Sequence, residues 1–315
     1  MPRLTRSFSP QIPPALPNPP DRNPTLKPLF SALLVVQACL SVWKIVLVLP
    51  GPRTVPPPVV AADCDATLDE RQLLRRGWTK VFDEEFTGDL GQWNVWNSGA
   101  YNEELQLYQP ANLRLDGGVL AIETRREAVS GATRPNNAAP KAFGFTSGRI
   151  ESKIPFAPTP TAPRLRISAR LKGPQGYGLW PAFWLCGDAW PTNGEIDILE
   201  MRGHEPYTFT TNYAYGSEPG LNATPDATTH IRSRRSLSEC WHVYELIWQE
   251  KKLIFLLDGK IVDVKREGRV RDLFGKPQRI VLNLAVGGTF FGHPPADRIQ
   301  PGTFRADWVR VYTAP

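Results

Sequence analysis

From Trp78 onward, apolar and polar residues trade places at every second position in short runs separated by turn residues. The runs are "TKVFDEEF", "GVLAIETRRE", "SGRIESKIPF", "RLRISARLK", "PAFWLC", "GEIDILE", "YTFTTNYAY", "HVYELIWQ", "KLIFLLDGKIVDVKRE", "QRIVLNLAVGG" and "FRADWVRVY". A period of two is the signature of a strand, whose successive side chains point to opposite faces. Within "LLDGKI", Asp258-Gly259 is a two-residue hairpin signal, since the favoured turn needs residues that tolerate positive φ. Helix signals are few. "ATLDERQLLRRG" (Ala66–Gly77) carries a Thr67-x-x-Glu70 capping box and a terminal Gly, and "VRDLFGK" has room for one turn. Many short strands without a fixed repeat predict one all-β sandwich or barrel.

The first 63 residues are different. They hold 14 of the 32 prolines, so neither helix nor paired strand can run through "SPQIPPALPNPPDRNP" or "PGPRTVPPPVV". Between these lies "LFSALLVVQACLSVWKIVLVL" (Leu29–Leu49), apolar apart from Lys44 and a few small or polar residues and just long enough to span a bilayer. Arg3, Arg6, Arg22 and Lys27 precede it, which predicts a cytoplasmic N-terminus and an exported body. The expected organisation is a basic Pro-rich leader at 1–28, an export or anchor segment at 29–49, a Pro-rich linker with a short helix at 50–75, and one domain at 76–315. The expected location is extracytoplasmic, secreted or membrane-anchored.

Charge then excludes one class of partner. Removing the leader leaves 31 basic and 29 acidic residues in 64–315, so the body is near neutral. A nucleic-acid binder would concentrate basic residues on one face. The one local basic run, "HIRSRRS" (His230–Ser236), reads as a solvated loop. Cys64, Cys186 and Cys240 fall in the exported part, and their pairing is open. Four scattered histidines offer no transition-metal site.

The chemistry concentrates in "WPTNGEIDILEMRG" (Trp190–Gly203). Glu195 and Asp197, two apart, share a strand face. Glu200, three further on, would fall on the opposite face among Ile196 and Ile198. A β-bulge at Ile198–Leu199 would return Glu200 to the face of the other two. Glu195 and Glu200 would then lie about 13 Å apart between Cα atoms, and side chains leaning together shorten that towards the carboxyl spacing of a retaining glycosidase, about 5–5.5 Å. Upstream, "GYGLWPAFWLCGDAWP" puts Trp180, Ala182 and Trp184 on one strand face, with Trp190 ahead of the acidic strand. Indole faces stack on the apolar faces of sugar rings, and carboxylates beside them make a site for glycosidic-bond chemistry.

"GLWPAFWL" followed by "WPTNGEIDILEM" resembles glycoside hydrolase family 16, in its laminarinase-like branch with the bulged E-x-D-x-x-E. "FDEEFTGDLGQWNVW", "NEELQLYQPANLRLDGGVLAIETRRE", "FTSGRIESK", "WHVYELIWQEKKLIFLLDGK", "IVLNLAVGG" and "ADWVRVY" are similar to further family segments in the same order. The resemblance implies a β-jelly-roll sandwich (concanavalin A-like) with an open substrate cleft on its concave sheet. It implies Glu195 as nucleophile, Glu200 as general acid/base, and Asp197 as the group that tunes Glu200 electrostatically. Trp180, Trp184, Trp190 and Asn102 become substrate contacts. Asp307 matches a position that in some members helps bind a structural calcium; catalysis itself would need no cofactor. The expected partner is a polysaccharide, β-1,3- or mixed-linkage β-1,3/1,4-glucan, cut by a monomer.

Two departures keep other outcomes open. "PYTFTTNYAYG" carries Asn212 and Tyr213 where the laminarinase branch often has a His, and it looks more like the xyloglucan transglycosylase branch. "FAPTPTAPRLRISAR" breaks up a usually compact hairpin and is expected to reshape one end of the cleft. Galactan cleavage, transfer to a second sugar, and glucan binding without cleavage therefore stand as alternatives.

Overall fold

Two eight-stranded sheets face each other, and nearly every strand pairs antiparallel with its neighbours. The computed structural model describes residues 56–224 and 227–315. The leader and the apolar Leu29–Leu49 segment lie outside them. Among the described residues no helix is long and apolar enough to cross a membrane.

One sheet carries the strands Val59–Val60, Thr229–Ser233, Thr208–Ala214, Glu195–Glu200, Leu179–Gly187, Gln278–Val286, Arg149–Ser152 and Trp93–Val95, in that order. It is called the cleft sheet below. The other, outer sheet runs Lys260–Lys265, Lys252–Leu257, His242–Gln249, Arg164–Lys172, Thr303–Ala314, Val119–Glu123 and Leu113–Asp116, with Thr79–Glu84 also paired to Thr303–Ala314. The β-jelly-roll sandwich expected from the sequence is the fold observed.

Period-two alternation is what holds the layers together. In Leu179–Gly187, Leu179, Phe183 and Leu185 are fully buried in the core while Trp180, Ala182, Trp184 and Cys186 face the cleft. In Arg164–Lys172, Leu165, Ile167, Ala169 and Leu171 enter the same core from the other side. Each fully buried Leu, Ile or Phe contributes roughly 1.5–3 kcal/mol of apolar transfer, which makes this interface the main source of stability. Asp258 and Gly259 both have positive φ, 51° and 74°, and close the expected hairpin between Lys252–Leu257 and Lys260–Lys265.

Several expectations are corrected. Residues 59–75 are part of the sandwich rather than a linker. Val59–Val60 adds a parallel edge strand to Thr229–Ser233, and Cys64 is disulfide-bonded to Cys240, 176 residues away. Leu73 and Trp78 pack on Tyr312 and Ala314 of the outer sheet. The helix is shorter than predicted, Glu70–Arg75, because Asp69 rather than Thr67 caps it by accepting from the Gln72 N–H at 2.9 Å. Part of the basic run is a strand: Ile231 is fully buried, and Thr229–Ser233 pairs on both sides. Finally, "AVSGATRPNNAAPKAFGFTS", not read as strand, forms a hairpin (Arg125–Arg134 with Asn137–Ser147) that joins Gln106–Tyr108 in a third, small sheet. Much of its length is exposed on both faces, so it lacks the apolar alternation that marks other strands.

Candidate active site

The acidic strand folds with the bulge its spacing requires. Against Leu179–Gly187, Asp197 pairs with Trp184 and Leu199 with Phe183, leaving Ile198 as the extra residue. Against Thr208–Ala214, Asp197 pairs with Asn212 and Glu200 with Thr210, so Ile198 and Leu199 together oppose one residue. Ile196, Ile198 and Leu199 all sink into the core, and Glu195, Asp197 and Glu200 all line the cleft.

That cleft has a volume of about 850 Å³. Its floor is built by the Leu179–Gly187, Glu195–Glu200 and Gln278–Val286 strands, and Trp190 stands at its rim, 39 % exposed. Asn102, with positive φ of 57°, lies on a loop held by the Thr289 N–H donating to its carbonyl at 2.9 Å. Trp184 Nε1 donates to Asn283 Oδ1 at 2.7 Å, Asn283 Nδ2 donates to the Tyr108 hydroxyl at 3.1 Å, and that hydroxyl donates to Glu104 Oε2 at 3.1 Å. This buried relay fixes the plane of the Trp184 indole. The Arg149 guanidinium lies 3.8 Å from the Trp96 ring and 4.8 Å from the Trp184 ring, and pairs with Glu151.

Trp180 lines the cleft but is already engaged. Its Nε1 donates to Glu200 Oε1 at 3.1 Å, and Phe290 stacks on its ring at 4.3 Å between centroids. It is less free to carry a sugar than Trp184 or Trp190.

Among the described residues no ion pair reaches the three carboxylates. Burial pushes Glu200 up to about 8, reinforced by the charge of Asp197. Burial pushes Asp197 up to about 7, against the pull of Asn212 and Lys265. Burial, then Asp197 and Glu200, lift Glu195 well above the usual carboxylate range, opposed by Trp190 and Arg149. Three carboxylates so arranged cannot all ionise near neutrality, and they take up protons as a unit. The cluster can therefore present a proton donor and an anion side by side at the floor of the cleft.

The sequence profile of glycosyl hydrolases family 16 matches residues 130–310. The chain belongs to glycoside hydrolase family 16. Among its family relatives, a β-glucanase of Rhodothermus marinus is 31 % identical over 264 residues, covering 75 % of this chain and 84 % of the relative. A glucan endo-1,3-β-glucosidase of Cryptopygus antarcticus is 30 % identical over 262 residues, covering 75 % and 92 %. The solved endo-β-1,3-glucanase of Pyrococcus furiosus superposes with a TM-score of 0.64 at 32 % identity, covering 76 % of this chain and 95 % of that one. Other relatives are much longer. The chain spans 38 % of glucan endo-1,3-β-glucosidase A1 of Niallia circulans and 34 % of the clotting factor G α subunit of Tachypleus tridentatus.

All seven residues expected to work together (Glu195, Asp197, Glu200, Trp180, Trp184, Trp190 and Asn102) line one cleft. Asp307 does not. It sits on the outer sheet, where Arg170 Nη1 donates to its Oδ2 at 2.7 Å. Among the described residues no group of three or more His, Cys, Asp or Glu side chains is placed to hold a metal ion. The "FAPTPTAPRLRISAR" segment also stays away, turning at Thr159–Ala162, and none of it lines the cleft.

Sequence reading missed Trp96, Glu104, Arg149, Asn283 and Phe290. Two had a signal: Arg149 and Glu151 are two apart in "GRIESK", and Asn283 is the lone polar residue in "IVLNLAV". Phe290, on a short loop, had none.

Proposed function

We propose that this family 16 protein is a retaining, endo-acting β-glucanase cleaving β-1,3- or mixed-linkage β-1,3/1,4-glucan by double displacement. The observation that carries the reading is the bulge, which sets Glu195, Asp197 and Glu200 on one face at the cleft floor. Glu195 attacks the anomeric carbon while Glu200 gives its proton to the leaving oxygen. Water, deprotonated by Glu200, then releases the sugar from Glu195 with retained configuration. With Glu200 raised to about 8, its proton is in place at and below neutral pH. The anion is favoured on Glu195 by Trp190 and Arg149, and by the positive charge that develops at the anomeric carbon. Asp197 keeps Glu200 protonated through its own charge.

The relatives' names support the substrate class. They include endo-1,3-β-glucanases, and a solved family member from Zobellia galactanivorans is in complex with laminaritriose and laminaritetraose. Export of the body is part of the same proposal, supported by the Cys64–Cys240 disulfide, a bond that persists in oxidising compartments.

The test is a panel of laminarin, barley mixed-linkage glucan, xyloglucan, agarose and carrageenan, with products sized by mass spectrometry. Short oligosaccharides from laminarin or barley glucan are expected. Cleavage of agarose or carrageenan alone would move the substrate to galactans, and binding without products would remove the enzyme reading.

A further inference from the structure

Trp180 is held at both ends. Its indole N–H donates to Glu200 Oε1 at 3.1 Å, and its ring lies within 11° of parallel to Phe290, 4.3 Å away. Phe290 is itself fastened. The Arg202 guanidinium sits 4.4 Å from its ring centroid, and Arg202 Nη2 donates to its carbonyl at 2.8 Å. The loop bearing Phe290 packs closely at its base: a Cβ on Gly288 would meet the Asn102 carbonyl at 2.6 Å, and Gly287 and Gly288 both take positive φ. Arg202 follows Glu200 by two residues, so the arrangement closes on itself from Glu200 through Trp180, Phe290 and Arg202 back to the acidic strand.

We infer that Phe290 and Arg202 are positioning residues, which hold Trp180 so that its N–H fixes one oxygen of Glu200 and leaves the other to carry the catalytic proton. The inference rests on Glu200 being the acid/base. The carbonyl oxygen of a carboxylic acid is a better acceptor than its hydroxyl oxygen, so the N–H bond to Oε1 favours the carboxylic proton on Oε2. In the first step that proton passes from Oε2 to the glycosidic oxygen as the C–O bond breaks and Glu195 forms its bond to carbon. In the second, a proton from water returns to Oε2 as the hydroxyl oxygen bonds to carbon and Glu195 departs. Without the N–H the carboxyl group can turn, and the proton leaves the line of the bond. A misplacement of about 1 Å costs on the order of 10²-fold. Trp180 thus acts on Glu200 rather than as an open sugar platform.

Substrates with different needs for a proton test this. Laminarin has a sugar leaving group that must be protonated; 2,4-dinitrophenyl β-laminaribioside has one that need not be. Trp180→Phe keeps the ring and removes the N–H, and Phe290→Ala does the reverse. In both, kcat/KM for laminarin should fall about 10–100-fold, a part of the roughly 10²–10⁴ that general acid catalysis supplies. For the aryl glycoside the fall should be no more than about threefold, and Phe290→Tyr should restore activity on laminarin. The alkaline limb of the kcat/KM profile should move to higher pH in Trp180→Phe and Arg202→Gln, since each loses a group that favours ionised Glu200. The other groups facing Glu200 (Asp197 and Glu195 on its strand, Thr210 across it, Glu205 and His230 in the adjoining recess) are untouched by these changes. Equal losses on both substrates, or an unmoved alkaline limb, would overturn the inference and return Trp180 to the role of a sugar contact. Because Trp180→Phe preserves the stack, the test does not hang on Phe290→Ala folding. Wild-type protein inert on both substrates would overturn the glucanase reading itself, and the inference with it.

Discussion

Glu245 of the outer sheet is fully buried, and Arg166 and Ser168 both donate to its Oε2, from Nε and Oγ at 2.8 Å each. Asp197 of the cleft sheet is 4 % exposed, and among the described residues it forms no ion pair. The contrast runs across both faces. Outside, Arg310 holds Glu85 and Asp83, Arg170 holds Asp307, and Lys80 holds Glu70. In the cleft, three carboxylates crowd together with only N–H donors, amides and more distant cations to steady them. Paired groups of the first kind hold a structure. A cluster of the second kind destabilises the fold and holds protons into the neutral range, which is what acid–base chemistry requires.

The largest expected effect separates the two faces. Glu195→Gln should cut reducing-sugar release from laminarin by about 10³-fold or more, as loss of a nucleophile does, with the melting temperature little changed. Glu245→Gln should do the opposite, costing about 3–5 kcal/mol of stability by breaking a buried pair while kcat/KM stays within about twofold. Turnover by Glu195→Gln within tenfold of wild type would remove it as nucleophile; a large activity loss in Glu245→Gln would dissolve the comparison.

Asp197→Asn should have an intermediate effect. Its charge holds Glu200 up, so a neutral amide lets Glu200 ionise at lower pH and moves the alkaline limb of kcat/KM downward. The rate should fall about 10–100-fold, less than for either glutamate. A profile with an unmoved alkaline limb would count against the coupling.

The smallest effect is on stability. Glu200 titrates near 8 when folded and near the ordinary carboxylate value of about 4.3 when unfolded. Between those values the native state holds a proton that the unfolded chain has released, so stability is lost as pH rises through that window. Glu200→Gln removes this penalty. Its melting temperature should exceed wild type by a few °C at pH 8 and by less than about one degree at pH 4. An equal gain at both pH values would mean that burial of charge is not the cause.

The sandwich was legible because a buried strand face writes itself into the sequence with period two, and the bulge because Glu200 broke that period. Features without a period were not. The Arg125–Ser147 hairpin is largely exposed on both faces, Phe290 lies on a loop, and the cap at Asp69 depends on a choice between two competent neighbours. The segment from Val59 to Arg75 looked like linker because it follows the run Pro56–Pro58, while its attachment to the body runs through a distant cysteine and one edge strand. The pairing of Asp307 with Arg170 was not legible because the two lie 137 positions apart.

The bulge also has a meaning in terms of parity. Each residue of a strand flips the face, and between Asp197 and Glu200 one flip is cancelled. Deleting Ile198 would leave Glu-x-Asp-x-Glu on an unbroken strand, with all three carboxylates still towards the cleft and one aliphatic side chain fewer in the core. The chemistry is thus indifferent to the extra residue, whereas the packing is not. Deleting Ile198 would thus be felt in the packing of the core, whereas Glu195→Gln would be felt in the chemistry.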